Sequence, residues 1–346
     1  MHKFLAEDRA QLDKILEDIL TEANHFLSEV DTRPVGTVSP ANIAAINIPN
    51  EGIGALETLA LFKERYAAWM SGSAGPRYYG FVTGGVTPAA LAGDWLTSVY
   101  DQNSLGSDES IAPQLELETI ALLRQLFGLP DEYTGSFVTG ATMSNFVGLA
   151  IARQWVGLKR NINFAEKGLW GTDPSPIFSA TPHSSIYKSL SMLGMGRETI
   201  TSIPCIPNRE AIDISALEDH LRNLDGKPSI VVANAGTVNT VDFDDITAIA
   251  ALKTRYQFWL HVDAAFGGFA ACSPKYRSLV EGMDQADSIT IDAHKWLNVP
   301  YDAAIQFTRH LDLQAEVFQN AAVYLGQEIS SSNFVHLTPE NSRRLR

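Results

Sequence analysis

Five short runs of consecutive β-branched and aromatic residues, each followed by turn residues and then by a helical stretch, constrain this chain more than any other feature. They are Ser136-Phe137-Val138, Ile177-Phe178-Ser179, Ile230-Val231-Val232, Phe258-Trp259-Leu260-His261-Val262 and Ser288-Ile289-Thr290-Ile291. A strand with one wet face alternates apolar with polar residues, whereas an unbroken apolar run suits a strand covered on both faces. Helical segments between the runs, such as 244–257, give the length that right-handed parallel crossovers need. The pattern predicts an α/β fold, a mainly parallel sheet sandwiched by helices. Ligands of such sheets sit beyond the carboxyl ends of the strands, so chemistry is expected just after the runs.

The first thirty residues are organised differently. Phe4, Leu5, Leu12, Ile15, Leu16, Ile19, Leu20, Phe26 and Leu27 recur at helical spacing, which predicts an amphipathic helix with its apolar stripe packed into a core. Arg33-Pro34-Val35-Gly36 ends that pattern. The expected division is an N-terminal helical arm over 1–80, a large α/β domain over 81–320, and a distinct segment over 321–346. Neither an internal repeat nor a low-complexity tract interrupts it.

Composition narrows the function classes. Lysine and arginine number 26 against 40 acidic residues, a formal net charge of -14. With no basic stripe to offset it, such a surface repels a phosphate backbone, so nucleic acid is not an expected partner. Cys205 and Cys272 form neither a CxxC pair nor a disulfide framework. The N-terminus lacks the basic start and apolar run of a signal peptide, and no stretch reaches eighteen apolar residues. A cytoplasmic protein, off the membrane, is expected. Gly194-Met195-Gly196-Arg197 lacks the third glycine of a dinucleotide loop, and neither a Gly-x-Ser-x-Gly elbow nor an HExxH pair occurs, so no metal site is expected.

Four signals fall at strand ends. Thr139-Gly140-Ala141-Thr142-Met143-Ser144-Asn145 opens a helix, where small residues let N–H groups approach an anion; an ordinary helix cap reads the same way. His183, in Thr181-Pro182-His183-Ser184-Ser185, is by itself as much a turn or cap residue as a catalytic one. Asp263 ends the most apolar run, and a buried carboxylate is costly unless it meets a cation, a helix N-terminus or a basic side chain. Lys295, after Ser288-Ile289-Thr290-Ile291-Asp292-Ala293-His294, is oddly placed for a solvated amine, although an exposed strand-end lysine remains the bland reading.

Taken together, His261-Val262-Asp263-Ala264-Ala265 followed by Asp292-Ala293-His294-Lys295-Trp296-Leu297 resembles the group II amino-acid decarboxylases, which depend on pyridoxal 5'-phosphate. Gly75-Pro76-Arg77-Tyr78-Tyr79-Gly80, Leu91-Ala92-Gly93-Asp94-Trp95-Leu96 and Asn234-Ala235-Gly236-Thr237 extend the likeness over nearly the whole chain. The resemblance implies fold type I, the aspartate-aminotransferase-like architecture, and a homodimer with its active site at the subunit interface. It implies that Lys295 carries the cofactor as a Schiff base, that Asp263 pairs with the pyridinium nitrogen, that Ala265 sits against the ring and that His183 stacks on its other face. Gly140, Ala141, Thr142, Asp292 and His294 would hold the phosphate, with Thr237 close to the ring. Tyr78, Tyr79, Phe81 and Thr83 match the stretch that lines the family's substrate pocket.

The implied reaction is decarboxylation of an L-amino acid to an amine and carbon dioxide. Oxidative deamination, another lyase or aminotransferase reaction, and a non-catalytic PLP-binding homologue are the alternatives. Ser342-Arg343-Arg344-Leu345-Arg346 looks like the start of a motif that in the family leads into a C-terminal small domain, and that domain is expected to be missing. Phe334 falls where relatives carry the proton-donating tyrosine of a mobile loop, which raises the oxidative alternative; Tyr324 or His336 could supply the proton instead.

Overall fold

The computed structural model describes residues 1–37, 47–48, 50–104, 110–320 and 332–345. Two compact units emerge, Met1–Val86 and Thr87–Arg346.

The first unit holds three helices, α1 (Lys3–Ala10), α2 (Leu12–Glu29) and α3 (Ala55–Tyr66). The single helix expected over the first thirty residues is broken at Gln11, whose φ of -111° and ψ of 18° leave the helical region. The Asp8 carboxylate accepts a hydrogen bond from Ala55 N at the start of α3, and Lys63 pairs with Asp18 at 2.9 Å. The apolar stripe is not packed into a core, which corrects the expectation. No residue of the three helices is buried, and Leu5, Leu12, Leu16, Ile19, Leu20 and Leu27 are all exposed. Amphipathic spacing fixes which face is apolar; it does not say whether the same chain covers that face.

The second unit holds the sheet. Its strands are β1 (Thr134–Val138), β2 (Ile177–Ser179), β3 (Ile200–Ser202), β4 (Ser229–Asn234), β5 (Phe258–Asp263), β6 (Ser288–Ile291) and β7 (Ala304–Thr308), ordered β1-β7-β6-β5-β4-β2-β3. From β3 to β6 every pairing is parallel, while β7 runs antiparallel to both β1 and β6. The five predicted runs are five of these strands; β3 and β7 are additions.

Helices α4 (Pro88–Tyr100), α5 (Ala112–Leu126), α6 (Ala141–Lys159), α7 (Phe164–Lys167), α8 (Ser184–Met192), α9 (Ile214–Arg222), α10 (Ile246–Ala251), α11 (Ala293–Trp296) and α12 (Leu311–Phe318) surround it. One apolar cluster joins α6 and α8 to Ile177, Ile230, Val232 and Trp259. The other joins α5, α9 and α10 to Phe178, Val231, Leu260 and Val262. Successive strand residues therefore enter opposite cores, which is why the runs are unbroken.

Candidate functional site

Strand β5 sets the site. Its odd positions Trp259, His261 and Asp263 face α6, and Phe258, Leu260 and Val262 face the other core. Asp263, only 6% exposed, ends the strand. Its carboxylate accepts from Asn145 Nδ2 at 3.0 Å and from Ala265 N at 3.3 Å. Both donors are neutral, and among the described residues no ion pair is formed by Asp263. A buried carboxylate without a cation among the described residues is costly, and a positive group brought to it would stabilise it.

Lys295 lies on the single turn α11 that follows β6. Its Nζ is 3.4 Å from Asp292 Oδ2 and 5.7 Å from the centre of the Phe266 ring. Burial pushes the Asp292 carboxyl up; the charges of Lys295 and His294 pull against that and Asp263 adds to it. Asp292 Oδ1 is 3.1 Å from His294 Nδ1, but that nitrogen directs its hydrogen to Ala303 O, so Oδ1 is buried without a hydrogen bond. Ala265 O accepts from Asp292 N at 2.9 Å, tying the end of β5 to the start of the lysine turn.

The N-terminus of α6 lies beside this turn. Gly140 caps it with φ at 149°, a conformation that L side chains rarely adopt, and a β-carbon there would come 4.0 Å from His294 Cε1. The first N–H groups of a helix have no partner within it, so Ala141 and Thr142 present donors where the positive end of the helix dipole stands.

His183 is exposed and caps α8, its Nδ1 accepting from Ser185 N at 3.2 Å. Sequence weighs a cap against a catalytic residue, but the side chain is a cap that is also wired inward. Ser185 Oγ lies 2.8 Å from His183 Nδ1 and 3.1 Å from Asn145 Nδ2. Thr237, buried after β4, accepts from Asp242 N at 3.0 Å. A β-carbon on neighbouring Gly236 would lie 2.8 Å from the Phe266 ring, which in turn neighbours Lys295.

The second unit thus brings together Gly140, Ala141, Thr142, Asp263, Ala265, Asp292, His294 and Lys295, joins His183 to Asp263 through two side chains, and sets Thr237 on the neighbouring strand end. Tyr78, Tyr79, Phe81 and Thr83 belong to the first unit, where Tyr79 and Phe81 are exposed. Phe334 lies on a three-residue turn and is fully buried, with the Arg343 guanidinium 5.2 Å over its ring. Tyr324 lies outside the described residues. Asn145 and Ser185 lie inside two of the strand-end stretches, but only their partners mark them as part of the site.

A family model described as the pyridoxal-dependent decarboxylase conserved domain matches residues 63–346. The chain is 29% identical to the aromatic-L-amino-acid decarboxylase of Bacillus atrophaeus over 350 residues, 99% of this chain and 71% of the relative. It is 32% identical to the L-2,4-diaminobutyrate decarboxylase of Acinetobacter baumannii over 215 residues, 58% of this chain and 42% of the relative. In three dimensions it is similar to a crystal structure of Oryza sativa TDC with PLP and tryptamine, with a TM-score of 0.86 and 22% identity over 97% of this chain and 72% of the other.

Proposed function

Since the chain belongs to the pyridoxal-dependent decarboxylase family, we propose that it removes the α-carboxylate of an amino acid as carbon dioxide, using Lys295, Asp263 and His183 around pyridoxal phosphate. The fit to that cofactor is supported by the charges. Asp263 is a buried carboxylate that lacks a cation, and a pyridinium nitrogen is one. The α6 N-terminus and His294 form a cradle that suits a dianionic phosphate. When bound, the cofactor supplies the electron sink for the pair left behind as carbon dioxide departs.

This chain's own residues do the rest. Lys295 would hold the cofactor through Nζ, and Asp292, 3.4 Å away, keeps that amine paired when it is charged. Asp263 would pair with the protonated ring nitrogen, which keeps the ring electron-poor. Gly140, Ala141, Thr142, Asp292 and His294 would hold the phosphate, and His183, Ala265 and Thr237 would confine the ring. Tyr78, Tyr79, Phe81 and Thr83 are assigned to the substrate by the likeness of their stretch alone.

A homodimer, with the site at the subunit interface, is part of this reading. It is supported by the uncovered stripe of Leu12, Leu16, Ile19, Leu20 and Leu27, a face that costs free energy in water. Free Cys205 and Cys272 suit a reducing, cytoplasmic setting, and among the described residues no helix is long and apolar enough to cross a membrane.

The single observation that carries the proposal is the uncompensated Asp263 at the strand end next to that of Lys295. Incubating the purified protein and PLP with a panel of L-amino acids, and measuring carbon dioxide, ammonia and aldehyde together, tests it. Carbon dioxide matched by amine is expected; ammonia and aldehyde without amine would overturn it. Sedimentation of the parent beside Leu16→Glu tests the dimer, which the charge should split.

A further inference from the structure

Behind Asp263 lies a chain of buried hydrogen bonds whose direction is set by Asp263 itself, a carboxylate that can only accept. Trp259 Nε1 can only donate, and it lies 2.9 Å from Ser288 Oγ. The Ser288 oxygen accepts that hydrogen and its own is available to His261 Nδ1 at 2.7 Å, with the histidine's hydrogen on Nε2. That hydrogen goes to Asn145 Oδ1 at 2.9 Å, and Thr290 Oγ1 donates to the same oxygen at 2.7 Å. A flip of the Asn145 amide would set its oxygen against the Asp263 carboxylate 3.0 Å away, so Oδ1 stays toward His261 and Thr290. Its two Nδ2 hydrogens must point to Asp263 Oδ2 at 3.0 Å and Ser185 Oγ at 3.1 Å. The Ser185 hydrogen is then left for His183 Nδ1, 2.8 Å away. Trp259, His261, Ser288, Thr290, Asn145 and Ser185 are all buried, so water does not compete for these groups. Burial also holds His261 down at about 4, which keeps it in the neutral form that the chain requires.

We propose that Asn145 is the positioning residue of this site: one amide hydrogen aims the Asp263 carboxylate, the other fixes His183 through Ser185, and the two move as one. The proposal rests on the assignment of Asp263 and His183 to the cofactor made above. A flipped or shortened side chain at 145 would turn an acceptor toward Asp263 or leave it with the Ala265 N–H alone, so the carboxylate would lose both its direction and half of its donors. Ser185 lets the same residue register a displacement of His183 at Asp263.

The test is a double-mutant cycle read on the bound cofactor rather than on turnover. Asn145→Asp keeps the acceptor for His261 and Thr290 but sets a second oxygen against Asp263. PLP affinity, by absorbance titration, should fall roughly tenfold or more, as loss of a hydrogen bond to a charged group implies, and the visible band of the bound cofactor should shift. In an Asp263→Asn background the same substitution should leave both readings unchanged within about twofold. Equal losses in the two backgrounds would overturn the proposal, because a merely structural asparagine acts regardless of Asp263. If Asn145→Asp does not fold, Asn145→Ser carries the same cycle. Ser185→Ala reads the second arm, with a band shift expected in the parent and none in a His183→Ala background; additive shifts would count against it. A parent chain that binds no PLP would instead overturn the assignment of the site itself.

Discussion

Gly148 lies so close beneath His261 that a β-carbon built on it falls 2.8 Å from the ring's Cε1 and 2.9 Å from Nδ1. Helix α6 can approach β5 this closely only without a side chain there. Gly148→Ala should therefore cost about 1–3 kcal/mol, the range for overpacking a dense core. A thermal melt measures it, and a variant as stable as the parent would refute the close packing.

Borohydride treatment of the PLP-loaded protein should fix the cofactor to Lys295, found by peptide mapping. Lys253, which pairs with Asp287 at 2.5 Å, should remain unlabelled. Lys295→Ala should keep non-covalent PLP but lose turnover. A label recovered on Lys253 or Lys275 would sink the assignment.

Arg343 and Glu116 form a bidentate pair at 2.6 and 2.7 Å with both side chains almost wholly buried. Removing one partner strands the other charge, so Glu116→Gln should lose about 3–5 kcal/mol in urea unfolding. The double variant Glu116→Leu with Arg343→Met should recover most of that loss. Failure of the single variant to destabilise would show that the pair is solvated.

Two buried groups give stability opposite pH dependences. Burial lowers His261 from 6.5 to about 4, so between those values the unfolded chain takes up a proton that the folded chain refuses. Its contribution is present above 6.5 and lost as pH falls toward about 4. Burial raises Asp244 from 3.8 to about 6 despite hydrogen bonds from Asn234 and Ile212. Its contribution is present below 3.8 and lost as pH rises through about 6. The two slopes oppose each other over this shared window in the parent, so urea titrations should show stability falling as pH rises in His261→Gln and rising with pH in Asp244→Asn. Slopes that superimpose on the parent's would contradict both.

Phe334 is a packing residue, so Phe334→Tyr is a stability experiment. A hydroxyl placed there without a partner should lower the melting temperature by a loss of about 1–3 kcal/mol and leave the product ratio unchanged. A shift from aldehyde to amine would restore the loop reading.

Sequence and structure agree where burial alone writes the pattern. The five runs are strands because each residue in them meets one core or the other. Strand β7 escapes that reading because buried Gln306 and Thr308 break its apolar run, and β3 escapes because two of its three residues are exposed. The run at β5 conceals more than it displays, since its alternate residues Trp259, His261 and Asp263 form a polar ladder against α6. Lys295, Asp263 and His183 stand out at strand ends, and only the joint motif, not any one of them alone, suggests a role. Asn145 and Ser185 are ordinary residues whose meaning lies in partners 118 and 40 positions away in sequence.

The antiparallel insertion of β7 has a consequence for the order of events on the ribosome. Among the described residues strand β1 pairs only with β7, and Thr134 meets Thr308 across a separation of 174 residues. At roughly 5–20 residues per second, β1 waits on the order of 10–30 s after its own synthesis before its partner exists. Through that interval it is an open, apolar edge able to template another chain. Nascent polypeptides halted before residue 304 should therefore bind chaperones or aggregate, and those that have released β7 should not.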